Sequence, residues 1–219
     1  GIGFSSIENF IFSTSITQDN LFGNGQRLSL NAHLSSIRTD FRINFTEPRL
    51  FDSEISLGFD LFNEDEDFLS FDAQSTGGGF RLGKNISEYE SVGLKYRLAN
   101  VETSGVDSSD ETEFFKNGTR LTSRVVPTYI YDSRDNFLNP STGWRHVVGF
   151  ELAGLGGTKF TKYFYEATYY HPLVGKFVGA AHARINYADG YGGDKLPAFE
   201  RFFMGGSTSL RGYTIQDVG

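Results

Sequence analysis

Apolar and polar residues alternate with a period of two along almost the whole chain, the pattern of strands that turn one face to an apolar medium and the other to a polar one. Phe10, Phe12, Thr14 and Ile16 oppose Ile11, Ser13, Ser15 and Thr17. Leu28, Leu30, Ala32 and Leu34 oppose Arg27, Ser29, Asn31 and His33, and Phe41, Ile43 and Phe45 oppose Arg42, Asn44 and Thr46. The pattern returns with Ile55, Leu57, Phe59 and Leu61 against Ser56, Gly58 and Asp60, and with Val92, Leu94, Tyr96 and Leu98 against Gly93, Lys95 and Arg97. Towards the end Val148, Phe150 and Leu152 oppose Val147, Gly149 and Glu151, and Ala181, Ala183 and Ile185 oppose His182, Arg184 and Asn186. In these segments the charges keep to one face.

Alternation alone fits a soluble antiparallel sandwich as well as a membrane barrel. Length separates them. The segments between turns run about 9 to 14 residues, enough to cross a bilayer when tilted, whereas soluble strands average about 5 to 6. Aromatic pairs such as Tyr129 and Tyr131, Tyr163 and Tyr165, and Tyr169 and Tyr170 are expected near strand ends, as interfacial girdles. The acidic stretches Glu64 to Asp67 and Val106 to Glu113 are expected as outward loops, and His171 to Lys176 as an inward turn. The fold class that follows is all-β, an antiparallel transmembrane β-barrel with about eleven strands, the first of them short. Bacterial single-chain barrels have even strand numbers, and an open edge in lipid would leave backbone N–H and C=O groups unpaired at several kcal/mol each, so further strands are expected outside this chain.

Composition sharpens the picture. The chain holds 22 Phe, 11 Tyr and 26 Gly against one Met and one Trp, a mixture suited to pleated strands and tight turns. A mean hydropathy of −0.32 with no long apolar run excludes a transmembrane helix, but not a barrel, where only alternate residues meet lipid. A net charge of −7 without a clustered basic surface argues against nucleic acid. With no Cys there is no disulfide, thiolate metal site or cysteine nucleophile.

Several tempting sites carry little. Gly78 to Lys84 nearly spells a phosphate-binding loop, but Asn85 replaces the required Ser or Thr and the segment reads as strand. His33, His146, His171 and His182 lack metal-ligand spacing and are expected at solvated strand positions. Glu64 to Asp67 could hold Ca²⁺, yet a solvated loop is the default. No cofactor, metal or catalytic residue is expected.

Three segments go beyond pattern: Thr17 to Gly25, Asp132 to Trp144, and Gly205-Gly206-Ser207-Thr208-Ser209-Leu210-Arg211-Gly212-Tyr213. With Gly1-Ile2-Gly3-Phe4, Thr46-Glu47-Pro48 and the stretch from Ala188 to Pro197, they follow the order found in the bacterial outer-membrane insertase superfamily, which the chain resembles over nearly its whole length. The first resembles the turn between barrel strands two and three. The last is similar to the V-R-G-F signature of the sixth extracellular loop, with Leu210 and Tyr213 as conservative changes.

The resemblance implies the part of a sixteen-stranded barrel from the first strand into the sixth loop, with residues 191–219 as that loop. It implies assembly of β-barrel proteins into a bacterial outer membrane, without enzymatic chemistry, by pairing a client strand with the edge of the first strand. Gly1, Ile2, Gly3 and Phe4 would be that lateral-gate strand, its glycines weakening packing at the seam; an ordinary frayed terminus is the alternative. Leu210, Arg211, Gly212 and Tyr213 would form the loop-six motif, with Arg211 held by a lumenal carboxylate. Asp132, Arg134, Asp135, Asn139, Pro140 and Gly143 would build a structural turn. The implied partners are outer-membrane lipids, unfolded β-barrel clients and accessory lipoproteins. A polypeptide-secretion translocase, a passive channel and a soluble all-β binding module remain as alternatives.

Overall fold

The computed structural model of the chain describes residues 1–5, 8–68, 71–106, 117–205 and 212–213. Eleven strands follow one another: β1 (Ile2–Ser5), β2 (Asn9–Leu21), β3 (Gln26–Leu34), β4 (Arg38–Glu47), β5 (Ile55–Asp67), β6 (Asp72–Asn85), β7 (Glu90–Ser104), β8 (Gly118–Asp132), β9 (Gly143–Gly157), β10 (Phe160–Pro172) and β11 (Val178–Gly190). They form one sheet in sequence order, each strand antiparallel to the next. Among the described residues no helix is long and apolar enough to cross a membrane, and the only helical pieces are 3-10 turns at Leu50–Asp52 and Ala198–Glu200.

Register carries the period of two across the sheet. One apolar row runs Leu28, Phe45, Phe59, Phe80, Tyr96, Val125 and Leu152 through consecutive pairings, with Phe80 and Tyr96 stacked at 5.3 Å. Its neighbour runs Ile16, Leu30, Ile43, Leu61, Gly78 and Leu98. These side chains are not sealed between sheets: Ile16 is 64% and Leu61 61% exposed. A sandwich would have buried them, so the soluble reading fails and the apolar face meets lipid. On that face the Tyr96 hydroxyl and Ser123 Oγ, 2.9 Å apart, satisfy one another.

The strands outrun the apolar band. Thirteen residues span roughly 43 Å, more than the ~25 Å band even after a tilt near 40°. Beyond Leu61 the same face of β5 therefore turns polar, with Asn63 donating to Thr76 Oγ1 at 2.6 Å. This corrects one expectation: Glu64 to Asp67 are not a loop but the last residues of β5, paired with Ala73, Gln74, Ser75 and Asp72. His171 likewise belongs to β10, the turn beginning at Leu173. Within the stretch from Val106 to Glu113, Val106 is described and buried; residues 107–113 lie outside the described residues.

Aromatic residues do gather at the rim formed by the short turns, where Trp144 stacks on Tyr169 at 4.2 Å and on His146 at 5.2 Å. Tyr163 and Tyr165, expected at a strand end, instead sit inside β10. Nor is His146 at a solvated strand position: it is half-buried. It shares the parity of Val148 and Phe150, and its Nδ1 lies 2.9 Å from the Tyr165 hydroxyl.

The buried apolar clusters sit on the opposite, polar face. Ala198 packs with Phe71, Ala73 and Val106, and Phe199 reaches Phe62, Ala99 and Val101. Glu200, the next residue, bonds Lys162 on β10. Strands β5 and β10 are about 24 Å apart along a flat sheet, at ~4.8 Å per step. Two adjacent side chains can touch both only if the sheet curls around them, so the polar face is the inside of a curved wall. Gly77 and Gly79 of β6 serve that curvature, since a Cβ would lie 2.1 Å from the Leu98 carbonyl and 2.2 Å from that of Tyr96.

Candidate functional site: the edge strand and the lumenal wall

β1 is short and lies at one edge of the sheet, pairing Ile2 with Phe12, Gly3 with Ile11, Phe4 with Phe10 and Ser5 with Asn9. Its parity follows the sequence: Ile2 and Phe4 point to the lipid side, 84% and 68% exposed, while Gly1 and Gly3 face the lumen and offer no side chain. The one ring contact is edge-on, Phe4 against Phe10 at 5.4 Å. Pairing a further strand with β1 would use backbone donors and acceptors, the chemistry of strand addition. All four residues expected at the lateral gate come together here.

Inside the wall, charges pair across neighbouring strands, as cross-strand register allows. On β4, β5 and β7, Arg42 reaches Glu64 at 3.0 Å, Arg97 reaches it at 2.7 Å, and Arg38 meets Asp40 at 2.7 Å. Arg81 on β6 donates to Asp60 at 2.7 Å. The Arg97 guanidinium also lies 3.6 Å above the Phe62 ring, a cation–π contact that lets a charge rest beside an apolar cluster.

The second half of the wall takes a partner from the chain after β11. Glu200 is only 4% exposed. Arg124 on β8 donates to both its carboxylate oxygens, at 3.1 and 3.2 Å, and to Glu151 at 2.9 Å; Lys162 completes the set. The segment is stitched down at its start, where the Tyr191 hydroxyl donates to the Ala153 carbonyl at 2.7 Å and Lys159 N donates to Asp194 at 3.1 Å. Sequence reasoning missed Glu200, Arg124 and Lys162. The available signal was a lone carboxylate in the run from Pro197 to Met204, since buried acids in apolar runs are nearly always paired.

Of the loop-six motif, Leu210 and Arg211 lie outside the described residues; Gly212 has φ +95° and Tyr213 is exposed. The expected structural turn is fully assembled between β8 and β9. Arg134 grips Asp132 with two donors, at 2.8 and 2.6 Å. Asp135 accepts from the amides of Ser141 and Thr142 at 2.8 and 3.1 Å and from the Ser141 hydroxyl, which holds its carboxyl well below the ordinary range, at about 2. Asn136 Oδ1 accepts from the amide of Asn139 at 3.0 Å, just before Pro140. Gly143 sits at φ +111°, and a Cβ there would lie 2.4 Å from the Ser133 carbonyl.

Comparison with known proteins fits this arrangement. The outer membrane protein assembly factor BamA of Nitratidesulfovibrio vulgaris is 32% identical over 223 residues, covering 100% of this chain and 28% of that protein. Its counterpart in Neisseria meningitidis serogroup B is 28% identical over 99% of this chain and 30% of its own length. The chain thus spans under a third of the length of these two relatives. A SAM50-like protein of Drosophila melanogaster is 26% identical over 94% of the chain. Among solved structures, BamA from Haemophilus ducreyi lacking POTRA domains 1-3 superposes with a TM-score of 0.85 at 22% identity, covering 100% of this chain and 46% of that one, a likeness of fold. Residues 20–219 match the Omp85 superfamily domain, and the chain belongs to that superfamily.

Proposed function

We propose that this barrel segment carries the gate of an insertase that assembles β-barrel proteins into the bacterial outer membrane. β1 is the template: an unfolded client adds a strand to its edge through backbone hydrogen bonds, which need no particular side chain and so accept many clients. No covalent step is required and no enzyme activity is proposed. Outer-membrane lipids, unfolded barrel proteins and accessory lipoproteins are the partners. Residues 191–219 act as the loop that returns to the lumen, with Leu210, Arg211, Gly212 and Tyr213 as its motif and Arg211 as an anchor in addition to Glu200.

The observation that carries this reading is a barrel wall whose lumen is occupied by the chain's own Ala198–Glu200 segment, in a chain similar over its whole length to outer membrane protein assembly factors. A seated Ala198–Glu200 segment is at odds with a passive channel. The test uses the full-length protein in lipid vesicles with an unfolded barrel client and single cysteines along β1. Templating predicts disulfide cross-links from the client's terminal strand to β1 positions in antiparallel register, and impaired assembly when Arg211 is replaced by Ala. Absence of register-specific cross-links, or polypeptide release across the vesicle membrane, would overturn it in favour of a secretion translocase.

A further inference from the structure

The two rims of the sheet treat large apolar side chains in opposite ways. On the rim of the short turns every connection exposes one: Phe22 between β2 and β3, Phe51 between β4 and β5, Ile86 between β6 and β7, Leu138 between β8 and β9, and Val174 between β10 and β11. On the other rim the described turn residues 35–37 and 158–159 expose none. Where that rim does carry aromatics, Phe68 and Phe71 stack at 4.5 Å and Phe71 is buried with Ala198. Two of the five exposed tips also sit where the backbone resists them. Phe22 has φ +54° and Phe51 φ +52°, the left-handed region that glycine enters freely and a bulky residue only under strain. Neither ring offsets that strain by packing inside the protein, since Phe22 is 88% and Phe51 93% exposed. Strain kept at an exposed ring points to a contact outside the chain.

The surroundings of the tips say what that contact is. Tyr131 is the last residue but one of β8 and Trp144 the second of β9, so the aromatic girdle, and with it the headgroup level, lies at the strand ends. Headgroups occupy roughly 5–8 Å beyond the hydrocarbon, and the turns begin inside that layer. Two of the turns fold back over the lipid side. Leu173 lies against the lipid-facing side of Gly179, 3.4 Å from where a Cβ would stand, and the Tyr89 ring meets Tyr131 at 6.4 Å. We propose that the five tips form an apolar collar seated at the headgroup–acyl boundary of the near leaflet, which fixes the height at which the barrel rides in the bilayer. Its partner is the lipid surface, entered as interfacial segments enter it, with apolar side chains dipping about 5–10 Å into that boundary. The collar continues the lipid-facing wall and does not depend on β1 being a gate.

The experiment uses the full-length protein in phosphatidylcholine bilayers, with single nitroxides at Ile86, Leu138 and Val174, one reference label at Leu61 in the apolar band and another at Ser36 on the other rim. Collision with oxygen, which concentrates among acyl chains, is compared with collision with a water-soluble nickel chelate. The collar predicts that the three tips favour oxygen over nickel while Ser36 favours nickel. Tips that behave like Ser36 stand in water and overturn the collar. Tips shielded from both reagents are covered by protein, which overturns it in favour of a docking face for a polypeptide. A second measurement follows a label at Leu57, which shares the lipid-facing parity of Leu61 and pairs with Glu47 at the short-turn rim, in the parent and in a Phe22→Gly, Phe51→Gly variant that also relieves both left-handed strains. A collar that sets the height predicts a raised nickel-to-oxygen ratio at Leu57 in the variant. An unchanged ratio shows that the two rings hold nothing and overturns that role.

Discussion

The lumenal wall divides at β7 into two halves whose carboxylates and cations find their partners in different ways. From β4 to β7 the carboxylates are paired from within the wall: Asp40, Asp60 and Glu64 meet Arg38, Arg42, Arg81 and Arg97 on the same or nearby strands. From β8 to β10 it does not. Arg124 pairs with Glu151 on β9, but Arg124 and Lys162 also share Glu200, which comes from the segment after β11. A wall that is complete by itself tolerates any position of the loop. A wall that borrows its carboxylate is complete only with the loop seated, so loop position and wall stability are one equilibrium in this half and independent in the other.

The largest expected effect is therefore at Glu200. Replacing it with Ala leaves Arg124 with Glu151 and takes from Lys162 the carboxylate it bonds, both cations being nearly enclosed. Breaking a buried pair from one side costs about 3–5 kcal/mol, read as a lowered urea midpoint of the folded barrel. Adding Lys162→Met should return part of that loss, since it removes the stranded charge as well, and a double-mutant cycle should give a coupling of about 0.5–3 kcal/mol. If Glu200→Ala unfolds at the parent midpoint, the loop contributes nothing to the wall and the two halves are alike.

A smaller effect is expected where the wall is self-sufficient. Arg81 is 42% exposed on its side chain and meets Asp60 in a half-open part of the lumen, the regime in which ion pairs contribute about 0.2–1 kcal/mol. Asp60→Asn should shift the urea midpoint only slightly, and less in high salt, because exposed pairs are screened. It should also add independently to Glu200→Ala. A large coupling between the two would show that the halves communicate and would dissolve the distinction.

What the sequence disclosed follows the range of the interactions involved. Period-two alternation revealed the strands because each side chain's medium is set by its own parity. Where both faces of a strand meet water the alternation stops while the backbone ladder continues, which is why Glu64 to Asp67 resembled a loop. His146 had the parity of Val148 and Phe150 in plain view, which the expectation of a solvated strand position did not use. The turn from Asp132 to Gly143 was legible because its bonds close within a few residues. Glu200 was not: its partners lie 76 and 38 positions away in the chain, and no local pattern marks such a pairing. Leu210 and Arg211 were singled out only through resemblance, and they lie outside the described residues.

The smallest expected effect sharpens the comparison from the opposite rim. Asp135 closes its turn with bonds made by residues no more than seven positions away, so it should behave like the self-sufficient half. Its carboxyl titrates at about 2, below the unchanged value of 3.8, because Ser141 and Thr142 donate to the ionised form. A depressed folded pKa means the stabilisation is complete above the unfolded value and is lost as pH falls from about 4 towards 2. Amide exchange at Ser141 and Thr142, corrected for intrinsic rates, should accelerate over that interval, and Asp135→Asn should abolish the pH dependence while raising exchange at neutral pH. The same titration in the Glu200→Ala background should be unaltered. A shift there would mean that the loop's anchor reaches through the wall to the turns beneath it, and that no part of the barrel is closed on its own.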